Sequence, residues 1–136
     1  MDEAKIGIQM NWDDYANFGP DEFRCKCGCG AVQMDPAFIA ALQRIRDEFG
    51  PMKISSGYRC PKHPIEARKK KPGAHATGQA ADILASGSRA LHLLRVALTH
   101  DDIQGVGVKQ RGAHSGKFIH LDTVTENLTR PMLWTY

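Results

Sequence analysis

Residues 75–84 read HATGQAADIL and residues 118–122 read FIHLD, and these two stretches indicate how the chain folds. Each contains a segment that predicts a β-strand. Side chains two positions apart share one face of a strand, so Asp82 and His120 each point to a defined side of their strands. If the two strands are neighbours in one sheet, the Asp82 carboxylate and the His120 imidazole can meet at one point.

His75 precedes the first of these strands and can reach the same point. Gly78 lies between them and has no Cβ atom, which allows the chain to fold back over the strand end. Two imidazoles and one carboxylate form a zinc ligand set that leaves a fourth position for water, as in hydrolytic sites. The spacing alone also fits a loop histidine, a capping aspartate and a buried sheet histidine.

The composition predicts one globular domain that spans residues 1–136. Hydrophobic residues make up 42% and charged residues 24% of the chain, which excludes a disordered or fibrous protein. The net charge of +3 is too small to indicate a nucleic-acid partner. No apolar run approaches the roughly 20 residues of a membrane span. We expect a monomer.

The order of the remaining signals predicts an α+β fold with a small antiparallel sheet and flanking helices. Residues 1–30 predict an irregular N-terminal arm, and residues 58–78 predict a long loop. A helix is predicted from residue 36, capped by Asp35, to the stop at residues 50–51. The predicted strands cover residues 53–56, 79–85, 103–108 and 117–122.

A second helix is predicted over residues 88–100. Leu91, Leu94 and Leu98 recur at helical spacing, so we expect them on one face of the helix.

Four cysteines occur in the chain: Cys25, Cys27, Cys29 and Cys60. In an extended segment the first three would face the same side, and Cys60 would arrive from elsewhere. A structural zinc site is conceivable, but the alternating spacing is not that of the common zinc fingers. We favour free thiols or one disulfide at this stage.

Several motifs in a consistent order resemble the zinc D-Ala-D-Ala carboxypeptidase-like family. They are SGYRCP at residues 56–61, GAHATGQAADI at 73–83, GVG at 105–107 and FIHLD at 118–122. This family includes phage L-Ala-D-Glu endopeptidases and bacterial murein peptidases, and its metal fold is similar to the signalling domain of hedgehog proteins. The resemblance extends over residues 23–136, nearly the whole chain.

The resemblance implies that His75, Asp82 and His120 bind Zn²⁺. It also implies that Arg59, in the SGYR motif, lies near the metal and the reacting carbonyl. A guanidinium there can neutralise a tetrahedral oxyanion or hold a substrate carboxylate. The implied substrate is a peptidoglycan stem peptide, cut at a bond flanked by D-amino acids.

The proton acceptor is where this chain departs from the family pattern. Members carry a glutamate or a histidine two or three residues before the third ligand, and here these positions hold Phe118 and Lys117. Asp122 is one candidate, either as the base or as the residue that orients His120. His114, in a glycine-containing turn, is the other candidate.

Two functional hypotheses follow. The first is a zinc metallopeptidase, acting as a carboxypeptidase or an endopeptidase on peptidoglycan, as a phage or prophage lytic enzyme does. The second is a non-catalytic zinc-containing module that binds cell wall or a partner protein. The N-terminus lacks the basic and apolar segments of a signal peptide. We therefore expect synthesis in the cytoplasm and action on the cell wall after release.

Overall fold

The N-terminal arm is irregular where the structure describes it. The computed structural model describes residues 10–70 and 72–136, so residues 1–9 of the predicted arm lie outside the described residues. The arm contains two short 3-10 helices, Trp12–Asp14 and Pro20–Glu22. The Phe23 ring is fully buried and stacks on the Trp12 ring at a centroid distance of 5.5 Å. Aromatic packing therefore attaches the arm to the core.

Helix α1 spans Pro36–Phe49, as the sequence predicts. The Asp35 side chain accepts a hydrogen bond from the Ala37 amide at 2.9 Å, which satisfies one of the free donors at the helix start. Gly50 ends the helix with a φ of 100°, a conformation that residues with a Cβ rarely adopt. The apolar stripe of α1 packs into the core through Phe38, Ile39, Ala41, Leu42, Ile45 and Phe49.

The long predicted loop contains regular structure. Helix α2 is a single turn at Pro64–Ala67, and a 3-10 helix covers Ala74–Thr77. Within the described part of the chain, no helix combines the length and the hydrophobicity that crossing a lipid bilayer requires.

Helix α3 spans Gly87–Ala97, and of the three leucines only Leu94 packs against the core. Leu91 and Leu98 are 49% and 66% exposed, whereas the buried residues are Ala90, Leu93 and Ala97. The small side chains of Ala90 and Ala97 flank Leu93 on the face that packs against α1 and the sheet. Leucine spacing alone does not carry that information.

The sheet has five strands: β1 (Ile54–Ser56), β2 (Ala80–Leu84), β3 (Gly105–Lys109), β4 (Phe118–Asp122) and β5 (Met132–Thr135). Their spatial order is β1-β2-β4-β3-β5. The first three pairings are antiparallel, as expected, whereas β5 joins the edge in parallel with β3. No pattern in the sequence predicted β5.

The strand register places the candidate site in the centre of the sheet. Asp82 on β2 is directly opposite His120 on β4, and Gly107 on β3 is opposite His120 from the other side. Residues 81, 83, 119 and 121 point to the face covered by the helices and join the main core. Because side chains alternate, Asp82, His120 and Asp122 point to the opposite face.

Candidate metal centre and its surroundings

His75, Asp82 and His120 meet on the sheet face that the helices leave free. The Asp82 Oδ1 atom lies 3.2 Å from His75 Nε2 and 3.0 Å from His120 Nδ1. Ligands at 2.0–2.1 Å from a tetrahedral zinc ion are separated by about 3.3 Å, so this spacing fits one shared ion. All three residues are buried, and their ligand atoms lie within 4.8 Å of one another.

A left-handed glycine brings His75 to this point. Gly78 follows the 3-10 helix Ala74–Thr77 with a φ of 78°, and a Cβ atom there would collide with the backbone of Gln33. The His75 Nδ1 atom lies 2.7 Å from the Gly57 carbonyl oxygen. A carbonyl only accepts hydrogen bonds, so Nδ1 carries the proton and the lone pair of Nε2 faces Asp82.

Asp122 orients the second imidazole. His120 Nε2 lies 2.7 Å from Asp122 Oδ2, and the carboxylate is fully buried. The bond places the Nε2 proton towards Asp122 and leaves Nδ1 to face Asp82. Arg130 in turn contacts both oxygens of Asp122, with Nε at 2.9 Å and Nη2 at 2.7 Å. Such carboxylate–histidine pairs fix the ring and its tautomer in metal sites.

Neighbouring groups shift the pKa values of the carboxylates and of one imidazole in this cluster. Burial alone would raise the pKa of Asp82, but the two imidazoles beside it, His120 and His75, outweigh burial and hold this pKa below its ordinary value. Burial would likewise raise the pKa of Asp122, and its bonds with His120 and Arg130 lower it instead. Burial lowers the pKa of His120, whereas the two carboxylates raise it to a net higher value. Both acids are therefore ionised at neutral pH.

Arg59 lies at the edge of this cluster. Its Nη2 atom is 3.7 Å from Asp82 Oδ2, and its Nη1 atom is 3.9 Å from Glu66 Oε2. Both distances exceed those of a charge-assisted hydrogen bond, and the buried Nε atom has no hydrogen-bond partner among the residues that the structure describes. The guanidinium therefore keeps unused donors beside the candidate metal ligands.

Glu66 lies next to Arg59 and was not predicted from the sequence as part of the site. Its carboxylate is buried and accepts hydrogen bonds from Lys69 Nζ at 2.8 Å and from the Gly73 amide at 2.9 Å. Burial would raise the pKa of Glu66, but these two bonds outweigh it and lower the pKa. A single acid within a basic, proline-containing stretch gave no sequence signal for this role.

The last strand, β5, also lies against the candidate site and was likewise not predicted from the sequence. The Trp134 ring packs on the His120 ring at a centroid distance of 4.9 Å, and the Arg130 guanidinium lies 5.0 Å from the Trp134 centroid. Gly107 makes room for this ring, because a Cβ atom there would lie 2.6 Å from Trp134 Nε1. Burial raises the pKa of the Tyr136 phenol and outweighs the hydrogen bond with Trp134, which lowers it.

The structure places one predicted residue elsewhere. His114 is exposed, and its Nδ1 atom lies 3.2 Å from the Ser86 hydroxyl. It lines a surface pocket with Ser86, Arg89 and Lys117 instead of joining the three candidate ligands. Arg59 and Asp122, by contrast, do contact that ligand group.

The donor set fits a zinc ion. Each imidazole has one nitrogen bound to an acceptor and the other directed at Asp82, which is the arrangement that neutral histidine ligands require. Two histidines and one aspartate are three protein ligands, the number found in catalytic zinc sites.

Comparison with known proteins supports the resemblance drawn from the motifs. No curated protein matches the chain. The family described as Peptidase M15 matches residues 16–122, which include all three candidate ligands and Arg59. The match covers most of the chain, and the α+β architecture with its largely antiparallel sheet is consistent with it. The chain therefore belongs to the Peptidase M15 family.

Proposed function

We propose that this protein is a zinc-dependent metallopeptidase that hydrolyses peptidoglycan stem peptides at bonds flanked by D-amino acids. The observation that carries the proposal is the convergence of His75, Asp82 and His120 beside Arg59. The family membership supports a peptidase, and the sequence motifs point to cell-wall substrates. Because peptidoglycan lies outside the cytoplasmic membrane, the proposed place of action is the cell wall. A phage or prophage lytic enzyme would act there.

Each histidine among the proposed ligands is oriented by a neighbouring residue. His75, Asp82 and His120 would hold a zinc ion, which would supply a coordinated water with a pKa of about 7 and polarise the scissile carbonyl. Gly57 and Asp122 fix the two imidazole rings, so that neither ring must reorient when substrate arrives.

Arg59 is the proposed oxyanion and substrate contact. Its side chain is only 15% exposed, and the guanidinium makes no tight hydrogen bond through Nη1 or Nη2 to its acidic neighbours. These donors are therefore available to a carbonyl oxygen that gains negative charge, or to a substrate carboxylate. Removing one donor of this kind costs about 10²–10³ in kcat in enzymes where it has been measured.

Asp122 is proposed to position His120 and not to accept a proton. Its two oxygens already accept hydrogen bonds from His120 and Arg130, and it is fully buried. His114 is proposed to take no part in the reaction, because its contact is with Ser86.

A non-catalytic zinc module on the same fold is the alternative. The observation in its favour is that Lys117 and Phe118 occupy the positions where relatives carry a base, while Asp122 is engaged. Such a module would bind zinc and cell wall without turnover.

Digestion of purified peptidoglycan separates the two. The enzyme is expected to release muropeptide fragments, to lose activity with a chelator and to regain it with added zinc. Mass analysis of the fragments identifies the bond and distinguishes a carboxypeptidase from an endopeptidase. Arg59→Ala should lower kcat while the zinc content at the His75 site stays unchanged. Zinc binding without any turnover would establish the alternative, and full activity in a zinc-free protein would refute both.

A further inference from the structure

We propose that Cys25, Cys27, Cys29 and Cys60 bind a second, structural zinc ion. The sulfur atoms of all four lie within 4.8 Å of one another, although Cys60 is far from the others in sequence. This site is separate from the histidine–aspartate site, and its existence does not depend on the proposed peptidase activity.

The sulfur spacing fits a single ion. Zinc–thiolate bonds of about 2.3 Å in a tetrahedron place neighbouring sulfurs about 3.8 Å apart. The Cys25 and Cys27 sulfurs are 3.5 Å apart, and the Cys27 and Cys60 sulfurs are 3.3 Å apart. A disulfide requires about 2.05 Å and would engage only two of the four thiols. Because no two of the four sulfurs are more than 4.8 Å apart, they fit around one ion and not around a cluster of several irons with bridging sulfides.

The backbone is shaped to bring the sulfurs together. Residues 26–29 form turns and not the extended segment that would place the three cysteines on one side. Gly28 and Gly30 have φ values of 99° and 75°, so both use the left-handed conformation that favours glycine. Because of this turn, the sulfur atoms of the alternate cysteines lie close together and not in a row along one face of a strand.

Amide donors surround the sulfurs. The Cys60 amide donates to the Cys25 sulfur at 3.3 Å, and the Ala31 amide donates to the Cys29 sulfur at 3.4 Å. Hydrogen bonds from backbone N–H groups to sulfur stabilise the thiolate, which is the form that binds metal. A set of four thiolates is typical of zinc and of iron–sulfur sites, and the short sulfur separations favour a single zinc ion.

The ion would connect the arm to the segment that carries Arg59. Cys60 directly follows Arg59, whose own amide donates to the His75 carbonyl at 3.2 Å. The Tyr58 amide also donates to the Phe23 carbonyl, two residues before Cys25. A zinc ion shared by Cys60 and the arm would therefore hold the backbone after Arg59, while the Tyr58–Phe23 hydrogen bond holds the backbone before it.

Zinc stoichiometry in the full chain tests this proposal. Protein purified under reducing conditions should contain two zinc ions per chain by elemental analysis. The His75→Ala/His120→Ala variant should retain one ion, and the Cys27→Ser/Cys29→Ser variant, altered only at exposed thiols, should retain the other. If the cysteine changes leave the zinc content unaltered, the second site does not exist.

Cobalt substitution provides a readout that needs neither activity nor a folded cysteine variant. The His75→Ala/His120→Ala variant loaded with Co²⁺ should show the near-ultraviolet charge-transfer band of thiolate ligation. Absence of this band, a disulfide found by mass analysis of freshly reduced and desalted protein, or iron in place of zinc would overturn the proposal. Loss of the histidine-site ion alone would count against the proposed peptidase and leave this site standing.

Discussion

The His120 imidazole and the Asp122 carboxylate form a buried hydrogen bond, with Nε2 and Oδ2 separated by 2.7 Å. On one strand, His120 thus faces Asp82, and Asp122 fixes the orientation of the His120 ring. Arg130 completes the arrangement by neutralising Asp122 from the far side.

Replacing Asp122 with asparagine should weaken zinc binding. The amide keeps the size of the carboxylate but loses its charge, so the ring of His120 is held less firmly and Arg130 loses its ion pair. Changes of this kind cost 10- to 100-fold in metal affinity or activity, and we expect a loss of about that size. Competition with a chromogenic chelator measures it. Asp101→Asn, at an exposed site, is the control; equal affinities in the two variants would contradict the orienting role.

Alanine at Gly107 should destabilise the protein and disturb the site. The added Cβ would lie 2.6 Å from Trp134 Nε1 and 3.1 Å from His120 Cβ, so the ring on β5 must move. Overpacking of this kind costs roughly 1–3 kcal/mol of unfolding free energy. Gly116→Ala is the matched control, because its Cβ would meet only the end of Lys109 at 3.6 Å. Urea unfolding of both variants compares them, and equal midpoints would show that Trp134 does not require the space.

Glutamine at Glu66 should remove an acid-sensitive part of the stability. The folded-state pKa of Glu66 lies below its ordinary value, so its contribution is present above the unfolded pKa, about 4.3, and is lost as pH falls through the folded pKa. The variant should therefore be less stable than the wild type at pH 7, and the difference should shrink in acid. Urea unfolding between pH 7 and pH 3 tests this, with exposed Glu126→Gln as control. A pH-independent difference would exclude the ionic contribution.

Truncating Leu93 should cost far more than truncating Leu98. Leu93 is fully buried, and replacing a buried leucine with alanine costs about 2–5 kcal/mol. Leu98 is 66% exposed, so its alanine variant should stay within about 0.5 kcal/mol of the wild type. Thermal or urea unfolding decides which face of α3 is in the core; the reverse order would restore the leucine stripe that the sequence indicated.

The sequence predicted the parts of the site that depend on local pattern. The cap at Asp35, the helix that follows it, and the strands that carry Asp82 and His120 all have short-range signals, and the structure has them. The side-chain alternation then places both residues on one face. Family motifs added Arg59, which lies beside Asp82.

The remaining parts depend on contacts between distant segments. Strand β5 has little burial of its own and exists by pairing with β3, so its four residues carried no clear pattern. Glu66 becomes notable only when the loop folds to bring Gly73 against it. The convergence of the cysteines likewise depends on a glycine turn and on Cys60 arriving from another segment.

The parallel edge strand bears on how fragments of this protein should be made. The family match ends at residue 122, and a fragment trimmed to that boundary would retain all three candidate zinc ligands. It would lack Arg130 and Trp134, which contact Asp122 and His120 from outside the matched span. If such a fragment is inactive, the cause is the loss of residues that position the ligands and not the loss of a ligand.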